Sequence, residues 1–163
     1  MRQVLFVIFL GWVHLLSAQN PPLPPRPIQI FADPLQGLFF GAVFRGPTGG
    51  SIIIFPDGSR SVTGDLQKAN TGAPFSPAIF EVEANLGTII NIVNGPDVVL
   101  NGSNGGTATL IVGAASPGSS FITAVSPPLR TTVRIGGTLV VGGPLISPSG
   151  VYNGFFSVTF VQQ

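Results

Sequence analysis

The chain has 163 residues, of which only 8% are charged, with seven Lys and Arg against six Asp and Glu. A net charge this close to zero leaves no basic stripe to neutralise phosphates, which excludes nucleic acid as a partner. The lack of cysteine excludes a disulfide framework, a thiolate metal site, an iron–sulfur cluster, a cysteine nucleophile and a lipoprotein anchor.

In chain order, Met1-Arg2-Gln3 precedes an apolar run over residues 4–16, and Ser17-Ala18 leads into Gln19-Asn20-Pro21-Pro22. A basic start, an apolar stretch and a small residue before polar sequence read as a secretory signal peptide over 1–18, cleaved after Ala18. The run is shorter than the roughly 20 residues a membrane helix needs, so no transmembrane segment is expected after cleavage. Residues 19–163 then hold no His, Cys, Trp or Met. Their cations are Arg26, Arg45, Arg60, Lys68, Arg130 and Arg134, and their anions Asp33, Asp57, Asp65, Glu81, Glu83 and Asp97. The charges cancel, and no side chain normally titrates near neutral pH to serve as a histidine base or switch.

Residues 19–27 form a Pro-rich leader, extended and unable to donate at its prolines. Beyond it, residues 28–163 read as one domain. Short β-branched or alternating runs are punctuated by Gly, Pro and Asn every 8–12 residues, which is the pattern of an all-β antiparallel sandwich. Strands are predicted over 28–32, 38–44, 50–55, 60–63, 78–84, 88–93, 98–100, 107–114, 121–125, 131–135, 138–141 and 152–161. In Phe80-Glu81-Val82-Glu83-Ala84 the apolar residues share one face and the carboxylates the other. Ala108, Leu110 and Val112 oppose Thr107 and Thr109, and Val133 and Ile135 oppose Thr132 and Arg134. Pro56-Asp57-Gly58 is a turn, since Pro presets φ and Gly accepts positive φ. Gly136-Gly137 marks a bulge or turn.

Three blocks carry a family resemblance. They are Leu38-Phe39-Phe40-Gly41 with Gly49-Gly50-Ser51-Ile52-Ile53-Ile54-Phe55-Pro56-Asp57-Gly58-Ser59-Arg60; Pro77-Ala78-Ile79-Phe80-Glu81-Val82; and Gly136-Gly137-Thr138-Leu139-Val140-Val141 with Gly150-Val151-Tyr152-Asn153-Gly154-Phe155-Phe156-Ser157-Val158-Thr159. Over about residues 28–161 the chain resembles a family of secreted bacterial proteins known as domain of unknown function 4402. More remotely it is similar to spore coat protein U and to archaic chaperone–usher pilins. The resemblance implies an immunoglobulin-like sandwich outside the cytoplasm, periplasmic, surface-held or released, with no catalytic residues to transfer.

The residues themselves offer few chemical constellations. Glu81 and Glu83 share a strand face at about 6.5–7 Å, a spacing that overlaps inverting glycosidases, but a solvated face is the simpler reading. Asp57, Asp65, Asp97 and Asn101 lack calcium-loop spacing, and Asp57 reads as a turn residue. Lys68, the lone lysine, has no glycine cradle and no Asn placed beside it for an isopeptide bond. Asn101-Gly102-Ser103 is a glycosylation sequon that reads as a turn in a bacterial protein. Tyr152 is the single tyrosine, so a stacking platform for sugars is thin. On the final predicted strand Phe155 and Val161 fall opposite Phe156, Val158 and Phe160, an apolar outer face that suits association. The expectation is a noncatalytic structural or adhesive surface protein, without cofactor or metal, that associates with itself or with other surface proteins. The alternative is a glycan-binding module using the loops over 95–106 and 114–120.

Overall fold

The computed structural model describes residues 26–163; the signal peptide expected over 1–18 and the leader up to Pro25 lie outside the described residues. The chain forms β1 (Gln29–Ala32), β2 (Phe39–Phe40), β3 (Val43–Ile54), β4 (Arg60–Lys68), β5 (Phe75–Ser76), β6 (Ala78–Glu83) and β7 (Ile89–Asn94). It continues with β8 (Val98–Gly102), β9 (Thr107–Ser116), β10 (Ser120–Ile122), β11 (Thr131–Val141), β12 (Tyr152–Asn153) and β13 (Val158–Gln162). One 3₁₀ turn at Pro34–Gln36 is capped by Asp33, which accepts from the Leu35 N–H. All strand pairs between these elements are antiparallel. Among the described residues no helix is long and apolar enough to cross a membrane.

A large curled sheet runs β1-β6-β11-β9-β8-β12, and β3 with β4 joins it on β11. A three-stranded sheet, β10-β7-β13, packs over one half of it, and the β2–β5 pair lies over the other. Period-two alternation sends Val82, Val133, Ile135 and Val112 inward to meet Ile90, Ile92 and Phe121 of the small sheet, with Phe160 against Phe80 at 5.6 Å. Ile52, Leu66, Leu100, Ala108, Leu110 and Leu139 fill the second cluster, closed by Leu38, Phe40 and Tyr152. Each fully buried Ile or Val contributes about 1.5–3 kcal/mol of transfer free energy.

Three strand expectations are corrected. The runs 131–135 and 138–141 form one strand, β11, with a register shift between Ile135 and Gly137. At this glycine pair β11 exchanges β6 for β3 along one edge. A Cβ on Gly136 would lie 2.3 Å from the Ile54 carbonyl oxygen, so the neighbouring backbone leaves no room for a side chain. Second, the strands predicted over 38–44 and 50–55 leave residues 45–49 between them, yet β3 runs through that gap with an irregularity between Arg45 and Gly50, where Asp65 accepts from the Thr48 N–H at 3.3 Å. Third, the predicted strand 152–161 is two strands in different sheets, because the chain leaves β8 after Asn153 and reaches β7 only at Val158.

Candidate functional site

Phe155 and Val161 do not share a strand face. Phe155 sits in the 154–157 crossover, 95% exposed, while Val161 lies on β13. The register of the small sheet places Val161 opposite Asn91, Thr159 opposite Val93 and Ile122 opposite Ile89. Strand alternation turns these residues away from the core. The outer face of β10-β7-β13 therefore presents Ile89, Val93, Ile122 and Val161, which are 42%, 53%, 64% and 41% exposed, and carries no charge. Sequence reasoning found Val161 but missed Ile89, Val93 and Ile122, since their common face exists only through β-pairing between distant segments.

The large sheet has a comparable outer surface. Thr63, Ser51, Val140, Thr109 and Val99 align in one cross-strand row, and Ser61, Ile53, Thr138 and Ile111 in the next. These rows are again uncharged, in keeping with the low charge of the whole chain.

Glu81 and Glu83 point to the same outer face, as their spacing predicts, but a solvated pair is not what forms. The Glu83 side chain is 10% exposed against 46% for Glu81. Arg26 Nη2 donates to Glu83 Oε1 at 3.1 Å, Arg130 Nη1 to Glu81 Oε2 at 3.0 Å, and Arg130 Nε lies 3.7 Å from Glu83 Oε2. The Arg130 guanidinium stacks over Phe31 at 3.5 Å, a geometry that favours a delocalised cation. Burial of Glu83 follows from these partners, because a buried charge persists only when paired. The cluster clamps β1 and the segment before it onto β6 and the start of β11. Beside it lies a shallow depression of about 220 Å³ lined by Phe31, Asp33, Gln36, Ile79, Glu81 and Arg130.

The remaining acids are apart. Asp57 closes the β3–β4 turn, accepting from the Ser59 N–H at 2.8 Å and the Ser59 hydroxyl at 2.7 Å. Hydrogen bonding to the Ser59 hydroxyl, then to its N–H, holds the Asp57 carboxyl below the usual carboxylate range. Asp65 belongs to β4 and Asp97 precedes β8. Among the described residues no three His, Cys, Asp or Glu converge as a metal site. Lys68 ends β4 opposite Val43.

The loop around Asn101-Gly102-Ser103 is largely self-satisfied. Val151 N–H donates to Ser103 Oγ at 3.1 Å, Asn104 Nδ2 donates to the Ser149 carbonyl at 2.7 Å, and Tyr152 Oη to the Pro148 carbonyl at 2.5 Å. Of the 95–106 and 114–120 segments expected as polar loops, residues 98–102 lie in β8, 114–116 in β9 and 120 in β10, and the rest connects strands. Arg60, singled out only within a motif block, proves to be a staple. Its Nη1 donates to the Phe40 and Ala42 carbonyls at 3.1 and 3.4 Å, and its guanidinium stacks over Phe75 at 4.4 Å.

No curated protein matches this chain, and no solved structure does. The family described as Domain of unknown function (DUF4402) matches residues 28–161. That span runs from the residue before β1 to the penultimate residue of β13, so it covers both sheets and both core clusters. The chain belongs to the DUF4402 family.

Proposed function

We propose that this protein is a noncatalytic, exported structural or adhesive protein of the bacterial surface that works by associating through its sheet faces and edges. The observation that carries the reading is the uncharged outer face of β10-β7-β13, where Ile89, Val93, Ile122 and Val161 are exposed together. Contiguous exposed apolar residues mark interaction sites in soluble proteins, and a net charge near zero removes the repulsion that keeps chains apart. The remote likeness to spore coat protein U and pilins, read from the sequence, points the same way. Expression of residues 19–163, followed by size-exclusion chromatography, electron microscopy and surface fractionation of the native host, tests the reading. Assembled material, or protein held at the cell surface, is the expected result. A monodisperse monomer found only free in the medium overturns it.

A second reading, glycan binding, draws on the depression beside Phe31, whose Asp33, Gln36 and Glu81 could accept from or donate to sugar hydroxyls. A glycan array probed with wild type and Glu81→Ala separates the two, since only this reading expects signal that the substitution abolishes.

A further inference from the structure

Gly95 N–H donates to the Ser157 carbonyl at 2.9 Å and Gln163 N–H to the Ile89 carbonyl at 3.0 Å. Bonded and non-bonded pairs alternate along an antiparallel ladder, so these two bonds set the phase of the β7–β13 pairing. Thr159 and Val161 direct their backbone groups to β7. Val158, Phe160 and Gln162 direct theirs to the opposite side. The other face of the ladder agrees: Ile92 N–H donates to Ser119 on the β10 side at 2.7 Å. β13 borders the small sheet, and among the described residues no backbone group meets the outward N–H and C=O groups of Val158, Phe160 and Gln162.

Natural sheets blunt such edges with charge, proline, bulges or short length. The other borders follow that rule. β4 carries Arg60, Asp65 and Lys68 and a positive-φ Gly64; β10 and β12 have three and two residues; β1 has four and is flanked by the Arg26–Glu83 and Arg130–Glu81 pairs. β13 is five residues of Val-Thr-Phe-Val-Gln, with none of these protections.

We propose that β13 pairs with β13 of a second copy of this chain, antiparallel about a two-fold axis through Phe160. This names the partner for the association proposed above and rests on that reading. The sequence of the edge is self-complementary in this register. Phe160 opposes itself and Val158 opposes Gln162, so every outward backbone group of the three finds a partner. Thr159 meets Val161 of the second copy on the outer side, and no like charges are brought together. The two apolar outer faces merge into one continuous sheet. The leader is a poorer occupant of the edge, because Pro21, Pro22, Pro24 and Pro25 cannot donate to a ladder. β1 is already paired with β6 of its own chain.

Light scattering and amide exchange of residues 19–163 test the pairing. With Gln162→Ala as the control for the lost Gln162 Oε1 bond from the Ile28 N–H at 3.2 Å, Gln162→Pro removes an outward N–H but leaves the β7 ladder whole, an arrangement edge strands tolerate. It is expected to weaken the dimer at least about tenfold. The Val158 and Phe160 amides are expected to exchange slowly in the wild type and about 100-fold faster in the variant. Thr159→Lys/Val161→Lys and Thr159→Glu/Val161→Glu, which spare the core face, are expected to be monomeric alone and to dimerise when mixed. A dimer with fast-exchanging Val158 and Phe160 amides, or one that either charged variant forms alone, overturns the pairing. If that assembly is instead abolished by Ile122→Lys on β10, the association reading stands while the β13 partner falls. A wild-type monomer also overturns the pairing; where its β13 amides are protected only while residues 19–25 are present, the edge belongs to the leader. A monomer that is also absent from the cell surface overturns the function with it.

Discussion

Two glycines with nearly the same backbone conformation make a controlled test of what the fold demands. Gly49 has φ +81° and Gly58 has φ +88°. An Ala at either position enters the left-handed region at a cost of about 1–2 kcal/mol, offset by about 0.4–1 kcal/mol from a stiffer unfolded chain. At Gly58, at the tip of the β3–β4 turn, an added Cβ meets nothing within 4 Å. Gly58→Ala should therefore destabilise by about 1 kcal/mol. At Gly49 the same atom would lie 2.2 Å from the Val141 carbonyl oxygen and 2.7 Å from the Gly142 carbonyl carbon. These are backbone atoms beside the Gly50–Val141 pairing of β3 with β11, so relief requires the strands to separate by about 1 Å, at a further cost of about 1–3 kcal/mol. Gly49→Ala should total about 2–4 kcal/mol. Urea unfolding of both variants, read as a change in midpoint at constant slope, measures the difference. Losses equal to within about 0.5 kcal/mol would refute the steric argument and leave only the shared φ strain.

The ion cluster should respond unequally. Glu83→Ala, which strips the buried partner of Arg26 and Arg130, should cost about 2–4 kcal/mol, and Glu81→Ala under 1 kcal/mol, as for exposed pairs, both by urea unfolding. Thr123 is 1% exposed and its hydroxyl bridges the Asn85 carbonyl and the Thr88 N–H. Thr123→Val keeps the shape and removes both bonds, but the Thr88 N–H and hydroxyl still donate to the Asn85 carbonyl at 3.2 and 2.7 Å, so a loss of about 0.5–1.5 kcal/mol in thermal or urea unfolding is expected. For Asp57, whose carboxyl is held low by Ser59, the folded state binds the proton more weakly than the unfolded chain. Its contribution to stability is thus present above the ordinary carboxylate pKa and fades as pH falls through the lowered value. NMR titration should place the Asp57 midpoint lower in the wild type than in Ser59→Ala; equal midpoints would remove the hydroxyl as the cause.

Strand existence was well marked in the sequence because alternation is a local property. Ala108, Leu110, Val112, Val133 and Ile135 are all buried, as their spacing predicts. Boundaries were less legible wherever glycine intervened. Gly64 ends the predicted strand at 63, but β4 continues through it at φ +69° to Lys68, because β3 remains available as a partner on both sides of the irregularity. Phe75–Ser76 carries no strand pattern and is a strand only because Phe39–Phe40 lies beside it. Of the candidate site, Val161 and the shared direction of Glu81 and Glu83 were readable from period two. The burial of Glu83 was not, since Arg26 and Arg130 lie 57 residues before it and 47 after it in the chain.

Composition and alternation were enough to mark an all-β, sparsely charged, cysteine-free chain, because side-chain direction along a strand depends only on residue parity; the three motif blocks carried the family resemblance over about 28–161. Which strands became neighbours, where β11 changed partner, and which strand was left bordering the small sheet were settled by packing. Pairing between strands joins segments far apart in sequence, and the apolar outer face and the open β13 edge exist only once those segments meet.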